Sequence, residues 1–202
     1  DWFSKNKKVL LFSIVLIYLY FRGTGDHGLI DPVEGVNASI ALHMSAGGNY
    51  FVPRIGDALT AGRSMGTWWL FAIALKIFGW SESSVRFWSA LSGLGIVLAA
   101  ALTAKDSQRA SWLSASICAG MLINFTVSQF ASSHAIFSCL MAFMMLAILE
   151  SRNDKKFLLH AHLCSVFAFI SHGPEGLILP WLAVVIYSVM SEDWKLLKDF
   201  FT

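Results

Sequence analysis

Two carboxylates and three arginines in the first half of the chain have the side chains that proton transfer and phosphate binding require. Asp31 and Glu34 are separated by Pro32 and Val33. A positioned carboxylate can take a proton from a hydroxyl group, and the planar fork of a guanidinium group matches the oxygen atoms of a phosphate. The arginines that follow these carboxylates are Arg54, Arg63 and Arg86.

Composition places these polar groups in a membrane protein. Hydrophobic residues make up 56% of the 202 residues and charged residues only 14%, with long runs that contain no charge at all. A helix needs about 20 residues to cross the apolar core of a bilayer, and a backbone in lipid must satisfy its hydrogen bonds internally. The sequence therefore predicts an all-α, polytopic transmembrane helix bundle that forms one domain over residues 1–202.

Six apolar runs are predicted to cross the bilayer, and an external loop with juxtamembrane helices, residues 22–84, joins the first two. In this arrangement most lysines outside the spans lie on one side, which the positive-inside rule identifies as the cytoplasm. We therefore expect a protein of the bacterial inner (cytoplasmic) membrane with both ends in the cytoplasm. The predicted spans are residues 9–21, 85–104, 110–125, 131–150, 157–170 and 176–190.

A seventh apolar stretch, residues 65–79, could either cross the membrane or lie flat in its interface. If it crossed, the loops that carry Lys105 and Arg152 would move to the far side, and the charge asymmetry would disappear. Lys76 also opposes a crossing, because a lysine near the bilayer centre costs about 2.5–3.5 kcal/mol. The flat arrangement, with six spans in total, is the favoured prediction.

The six-span topology brings the unusual polar residues to one external opening of the bundle. A charged loop at a membrane surface is common in itself, but convergence from several separate segments favours a functional site. Pro174 would begin the last span, so the positive end of that helix dipole would face the same opening. The converging residues are Asp31, Glu34, Arg54, Arg63, Arg86, His134, His172 and Glu175.

Six short segments follow one another in a characteristic order, at residues 31–35, 48–53, 63–70, 78–79, 86–91 and 170–180. Their order resembles D-P-D-E-G, G-D-W-x-V-P, K-P-P-L-x-Y-W-L, F-G, R-L-P-S-A-L and K-G-P-x-G-x-x-L-P in the GT-C superfamily of polyprenyl-phosphate-dependent glycosyltransferases. The nearest branch holds protein O-mannosyltransferases and aminoarabinose transferases. The resemblance implies a GT-C-like fold, a polyprenyl-phosphate sugar or another bound lipid as ligand, and phosphate binding by Arg54, Arg63, Arg86 and His172.

The resemblance fails at the positions where the family has its catalytic aspartate and a motif lysine. The catalytic aspartate of D-P-D-E corresponds to Val33, which cannot accept a proton. His172 replaces the lysine of K-G-P. Glu34 is adjacent to position 33, but consecutive residues on a helix point about 100° apart. Asp31 could replace the aspartate only if the loop were re-threaded past its proline. Glu34 and Asp31 therefore remain the candidate catalytic residues.

Two functions compete on this pattern. In the first, the chain is a degenerate transferase module, kept as a noncatalytic accessory or scaffold subunit of a larger membrane complex, in contact with membrane lipids and protein partners. In the alternative, it is the N-terminal part of an active glycosyltransferase. That enzyme would move a sugar from a polyprenyl phosphate to a lipid or protein acceptor on the external face.

The histidines and cysteines show no spacing typical of a metal site. His160 and His162 are two residues apart, which points them in different directions on a helix, and no histidine pair has i, i+4 spacing. Ligation of an axial cofactor by a histidine is a minor alternative. We expect no metal site, no disulfide framework and no nucleic-acid partner. The cysteines, each inside an apolar run, are Cys118, Cys139 and Cys164.

Overall fold

The computed structural model describes residues 2–201 except residues 31, 57 and 60–64. This part of the chain consists almost entirely of helices. They are α1 (Trp2–Phe21), α2 (Val33–Ser45), α3 (Met65–Phe78), α4 (Glu82–Thr103), α5 (Gln108–Gly120), α6 (Leu122–Ser128), α7 (Ser133–Glu150), α8 (Lys156–His172), α9 (Glu175–Met190) and α10 (Trp194–Phe201). A short antiparallel hairpin, β1 (Arg54–Ile55) with β2 (Ala58–Leu59), follows α2.

The expected all-α fold is confirmed, and the apolar runs account for its main helices. Two of these, α4 and α7, are each long and apolar enough to cross a membrane, and the bent pair α5–α6 would form a third crossing element. Shorter apolar helices are α3, α9 and the part of α1 from Val9 onward. Ser81 caps α4, and its hydroxyl oxygen accepts a hydrogen bond from the backbone N–H of Ser84.

Helix α4 lies at the centre of the bundle, in contact with α1, α3, α5, α6 and α7. Two glycines allow this close packing. A Cβ at position 93 would lie 2.6 Å from the Cβ of Ser128 and 2.7 Å from the ring of Tyr20. A Cβ at position 95 would lie 2.6 Å from the sulfur of Cys139. Small residues therefore bring the helix backbones together, as is typical of membrane bundles.

The third predicted span, residues 110–125, is not one continuous helix but is divided between α5 and α6. The axes of α5 and α6 meet at Met121 at an angle of 61°. The Tyr20 hydroxyl donates to the carbonyl of Ala119, and the Asn124 side-chain amide donates to the Tyr20 hydroxyl oxygen. These polar side chains satisfy groups that the break would otherwise leave bare in an apolar surrounding.

A second layer covers one end of the bundle. The buried face of α2, which includes Ile40 and Met44, packs against Trp68, Phe71 and Leu75 of α3. Helix α3 in turn contacts α4 and α8. The helices that lie between the first two predicted spans are therefore α2 and α3, and they cover the end of the bundle at which the candidate site lies.

Candidate functional site

Glu34 and Arg86 form a buried ion pair between α2 and the first turns of α4. The Nε and Nη2 atoms of Arg86 donate to the two carboxylate oxygens of Glu34, each over 2.8 Å. The side chains are 1% and 0% exposed, respectively. Two parallel charge-assisted bonds of this kind are strong and fix the orientation of both groups.

The remaining N–H groups of Arg86 hold the segment that joins α1 to α2. Nη1 donates to the carbonyl oxygens of Thr24 and His27, over 2.7 and 2.9 Å, and Nη2 also donates to Gly28 over 3.0 Å. A guanidinium group has five N–H donors. All five are used, so Arg86 has none left for a phosphate ligand unless this network opens.

The carboxylate of Glu34 is equally occupied. Besides Arg86, Oε1 accepts from the backbone N–H of Ala131 over 2.7 Å, and Oε2 accepts from that of Ile30 over 3.0 Å. Burial alone would raise the pKa of Glu34, but these hydrogen bonds and the charge of Arg86 outweigh burial and hold the pKa below its ordinary value. Glu34 is therefore an ionised carboxylate that could accept a proton only if this network loosened.

Asn37, which was not among the predicted site residues, extends the same network by one helical turn. Its side-chain amide donates to the carbonyl of Ala131 over 3.0 Å, and its oxygen accepts from the indole N–H of Trp68 over 2.8 Å. Both backbone groups of Ala131 are thus held by α2. The i, i+3 spacing from Glu34 places Asn37 on the same helix face and is the signal that could have found it.

Position 33, where the resembling family has its catalytic aspartate, lies outside this network. Val33 begins α2 and is 57% exposed, whereas the adjacent Glu34 is buried. Arg54 lies exposed in β1 and forms no ion pair with any described residue. Asp31 and Arg63 lie outside the described residues. Of the predicted site residues, the structure therefore brings Glu34 and Arg86 into direct contact.

His172 forms a second polar cluster at the same end of the bundle, where α8 ends and α7 and α9 begin. Its Nδ1 is 3.1 Å from the hydroxyl of Ser133, and its Nε2 is 3.2 Å from the carboxylate of Glu175. The ring stacks on Phe137, with 4.6 Å between centroids, and lies edge-on to that of His134 at 4.9 Å. Gly173, with φ of 92°, makes the tight turn between α8 and α9.

The surroundings of His172 favour its neutral form. Burial lowers the pKa of His172 below the ordinary value, and the neighbouring His134 adds to the shift, while Glu175 opposes it without cancelling it. At neutral pH the ring is therefore uncharged, and its two nitrogen atoms link the Ser133 hydroxyl to the Glu175 carboxylate. No group of three or more His, Cys, Asp or Glu side chains in the described ranges could hold a metal ion.

Comparison with known proteins agrees with the motif analysis. The family model described as dolichyl-phosphate-mannose-protein mannosyltransferase matches residues 63–202. An uncharacterized protein of Aquifex aeolicus (strain VF5) is 29% identical over 95% of this chain and 40% of its own length. The undecaprenyl phosphate-alpha-4-amino-4-deoxy-L-arabinose arabinosyl transferase 2 of Pseudomonas fluorescens (strain Pf0-1) is 26% identical over 95% of this chain and 37% of its own length.

Solved structures show the same fold. The crystal structure of ArnT from Cupriavidus metallidurans in the apo state superposes with a TM-score of 0.91 at 20% identity, over 98% of this chain and 38% of that one. The structure of the same protein bound to undecaprenyl phosphate gives a TM-score of 0.87 over 96% of this chain. The chain thus spans about two fifths of the length of these relatives, and the predicted GT-C-like resemblance is confirmed.

Proposed function

Because the chain belongs to the dolichyl-phosphate-mannose-protein mannosyltransferase family, we propose that it is a noncatalytic member of that family. In this proposal it keeps a lipid-phosphate site at the external end of the bundle and acts as an accessory subunit of a larger membrane complex. Transfer of sugar is then carried out by another protein or not at all.

The observation that carries the proposal is the state of the carboxylates around position 33. Val33 cannot accept a proton, and Glu34 is buried with two hydrogen bond donors on each of its oxygens. A positioned base contributes about 10² to 10⁴ in rate. A module without a free base at position 33 would lose this contribution to the rate of transfer but would keep its fold.

The proposed lipid-phosphate site is supported by two arginines and by the ligand bound in a similar protein. Arg54 is exposed on the hairpin, and Arg63 lies two residues before Met65, the first residue of α3, in the sequence. Of the predicted phosphate-binding residues, Arg86 has all its donors occupied and His172 carries no positive charge at neutral pH, so the proposal assigns the cationic contacts with the phosphate to Arg54 and Arg63. Undecaprenyl phosphate is the ligand of the similar ArnT structure.

The accessory role is supported by an apolar helix face. Helix α1 packs along one side against α4, whereas Leu11, Ile14 and Tyr18 are each more than half exposed. A membrane partner could cover this face. Gentle solubilisation of native membranes should recover the chain at fixed stoichiometry with other proteins, and recovery as a lone monomer would refute the accessory role.

The test of the noncatalytic proposal is made on the chain in nanodiscs. Native mass spectrometry should detect bound undecaprenyl phosphate, and Arg54→Gln should weaken binding about fivefold, since one surface cation beside a lipid phosphate contributes roughly that much. Arg22→Gln, an exposed arginine outside the proposed site, is the matched control. Transfer of sugar from a polyprenyl phosphosugar by the chain alone would overturn the noncatalytic assignment.

A specific observation favours the alternative, an active transferase. The imidazole of His172 lies between the Glu175 carboxylate and the Ser133 hydroxyl, an arrangement in which a neutral ring can take up a proton. In an active enzyme, His172→Gln would abolish product formation. Glu34→Gln would be the corresponding test of the buried carboxylate, and unchanged product formation in that variant would remove Glu34 as the base.

A further inference from the structure

A basic pocket lies at the end of the bundle opposite His172. It is formed where the loop between α7 and α8 meets the loop between α9 and α10, and its cavity has a volume of about 570 Å³. Helix α8 has 17 residues, which corresponds to roughly 25 Å of length between this pocket and His172. The pocket is therefore separate from the proposed external site. Its polar lining residues are Ser151, Arg152, Asn153, Lys155, Asp193 and Lys195.

Arg152 is held in position within this pocket. Its Nη2 donates to the carboxylate of Asp193 over 2.8 Å, and its guanidinium carbon lies 5.2 Å from the centre of the Tyr187 ring. Asp193 in turn accepts from the backbone N–H of Leu196 at the start of α10, over 3.1 Å. The Leu196 hydrogen bond and then Arg152 lower the pKa of Asp193, so this carboxylate stays charged and fixes the arginine.

The pocket is lined by more cationic than anionic side chains. Arg152, Lys155 and Lys195 line it together with the carboxylate of Asp193. Lys195 is exposed and lines the same cavity as the fixed guanidinium group of Arg152. A preoriented guanidinium group with an ammonium group nearby matches a phosphodiester, which takes a bidentate contact from arginine and a point charge from lysine.

The flanking residues indicate that the ligand is amphipathic. Helix α10 buries Leu196 and Phe200 against the bundle, which leaves Trp194 61% exposed, and Met190 at the end of α9 is 81% exposed. Tryptophan at this position is typical of the interface between headgroups and acyl chains. A phosphate bound beside Arg152 would thus have apolar side chains within reach of its own chains.

We propose that the pocket of Arg152, Lys155 and Lys195 binds the headgroup phosphate of an anionic glycerophospholipid in the leaflet opposite the external site. Arg152 contacts the phosphate oxygens with the N–H groups that Asp193 does not use, and Lys195 closes the site from α10. The lipid thereby ties the α7–α8 loop to α10. Basic pockets between helices at the cytoplasmic face of membrane proteins bind headgroups in this way.

The test compares lipids that differ only in headgroup charge. The full chain is titrated in detergent with phosphatidylglycerol or phosphatidylcholine of the same acyl chains, and bound lipid is counted by native mass spectrometry. Phosphatidylglycerol should bind at least tenfold more tightly. Equal binding of the two lipids would overturn the proposal, and so would equal competition by inorganic phosphate or glycerol 3-phosphate, which would identify a site for soluble anions.

Matched variants locate the site. Lys195→Gln should weaken phosphatidylglycerol binding about fivefold, the effect of one cation beside an anionic headgroup, and Arg152→Gln should weaken it more. Lys156→Gln is the control, because this lysine is in the same loop region and 88% exposed but does not line the pocket. An equal loss in all three variants would mean nonspecific attraction and would refute the site. Lys195 is exposed and its recorded interaction is the charge attraction with Asp193, so we expect its variant to fold, which a melting curve in the same detergent checks.

Discussion

Glu34 and Arg86 are residue types that catalyse reactions and bind phosphate, yet in this structure their surroundings indicate that they stabilise the fold. The pair sits where α1, α2, α4 and the start of α7 meet. Besides the two hydrogen bonds that join the pair, it makes five hydrogen bonds with backbone groups, and these hold the intervening loops. A buried ion pair is costly to form from solvated charges, but it is more costly to break once its partners depend on it. We therefore expect its main effect to be on stability.

Replacing Glu34 by Gln should destabilise the protein by about 3–5 kcal/mol, because it leaves the charge of Arg86 buried without a counterion. The double variant Glu34→Met with Arg86→Leu should lose less than the sum of the two single losses, as expected for residues in one network. Unfolding in detergent micelles by denaturant measures both. The control Glu175→Gln, at a carboxylate that is 55% exposed, should cost less than about 1 kcal/mol.

The buried carboxylate also predicts how stability depends on pH. The pKa of Glu34 is lowered in the folded chain from its ordinary value of 4.5, so the folded state binds fewer protons than the unfolded state at acid pH. Its contribution is complete above about pH 4.5 and is lost as the pH falls through the lower folded pKa. Glu34→Gln should flatten this acid limb of the stability profile. An unchanged acid limb would show that the carboxylate does not titrate as inferred.

His172 gives a second pH effect, in a higher range. Because its pKa is lowered from 6.5 in the folded state, its neutral form stabilises the fold above pH 6.5, and this contribution is lost as the pH falls below that value. Removal of Glu175 by Glu175→Gln should lower the pKa of His172 further, since that carboxylate raises it. Titration of the ring by NMR in ¹³C-histidine-labelled protein measures the shift, and a rise in pKa would contradict the assigned contacts.

Elements were predicted better than the contacts between them. Apolar runs and their flanking charges indicated the positions of the main helices, because burial in lipid requires such runs. The bend between α5 and α6 could not be predicted from the sequence, since apolar residues continue through Gly120 and Met121. The hydrogen bond to the Ala119 carbonyl at the break comes from Tyr20, which is distant in the sequence. In the same way, Glu34 and Arg86 are 52 residues apart, and nothing in a single sequence pairs them.

The packing of α4 against α1 and α6 predicts a strong effect at one glycine. Gly93→Ala should destabilise the protein by about 1–3 kcal/mol, because the new Cβ would overlap Ser128 and the Tyr20 ring. Gly120→Ala is the matched control, since nothing lies within 4 Å of a Cβ there. Melting curves of the two variants in the same detergent check this. A similar loss at both positions would indicate a backbone effect instead of a steric one.

At the scale of the whole molecule, the hydrogen bonds bear on which side of the membrane each loop occupies. Glu34 follows α1, and it bonds to Ala131 at the start of α7, next to Ser133, which contacts His172 at the end of α8. These groups can meet only if they lie at one end of the bundle. If α3 crossed the bilayer, the number of crossings between Glu34 and Ala131 would be odd, and the two would lie on opposite faces.

Contacts at the other end of the bundle also require an even number of membrane crossings between the groups that meet. Lys105, in the loop between α4 and α5, pairs with Glu150 at the end of α7, and Arg152 pairs with Asp193 before α10. The loops rich in lysine and arginine therefore share one end, and the carboxylate and histidine clusters share the other. This division is the one that the six-span arrangement with a flat α3 requires, and which of the two ends faces the cytoplasm stays a prediction of the positive-inside rule.

Single cysteines test this orientation directly. In a background with Cys118, Cys139 and Cys164 changed to alanine, Asn49→Cys and Asn153→Cys should lie on opposite sides. A membrane-impermeant maleimide added to intact cells should label position 49 at once and position 153 only after the membrane is opened, because α4, the α5–α6 pair and α7 make an odd number of crossings between the two positions. Labelling of both from the same side would mean that α3 crosses. The hydrogen bond from Ala131 to Glu34 could not then form, and the external site would be divided between two faces.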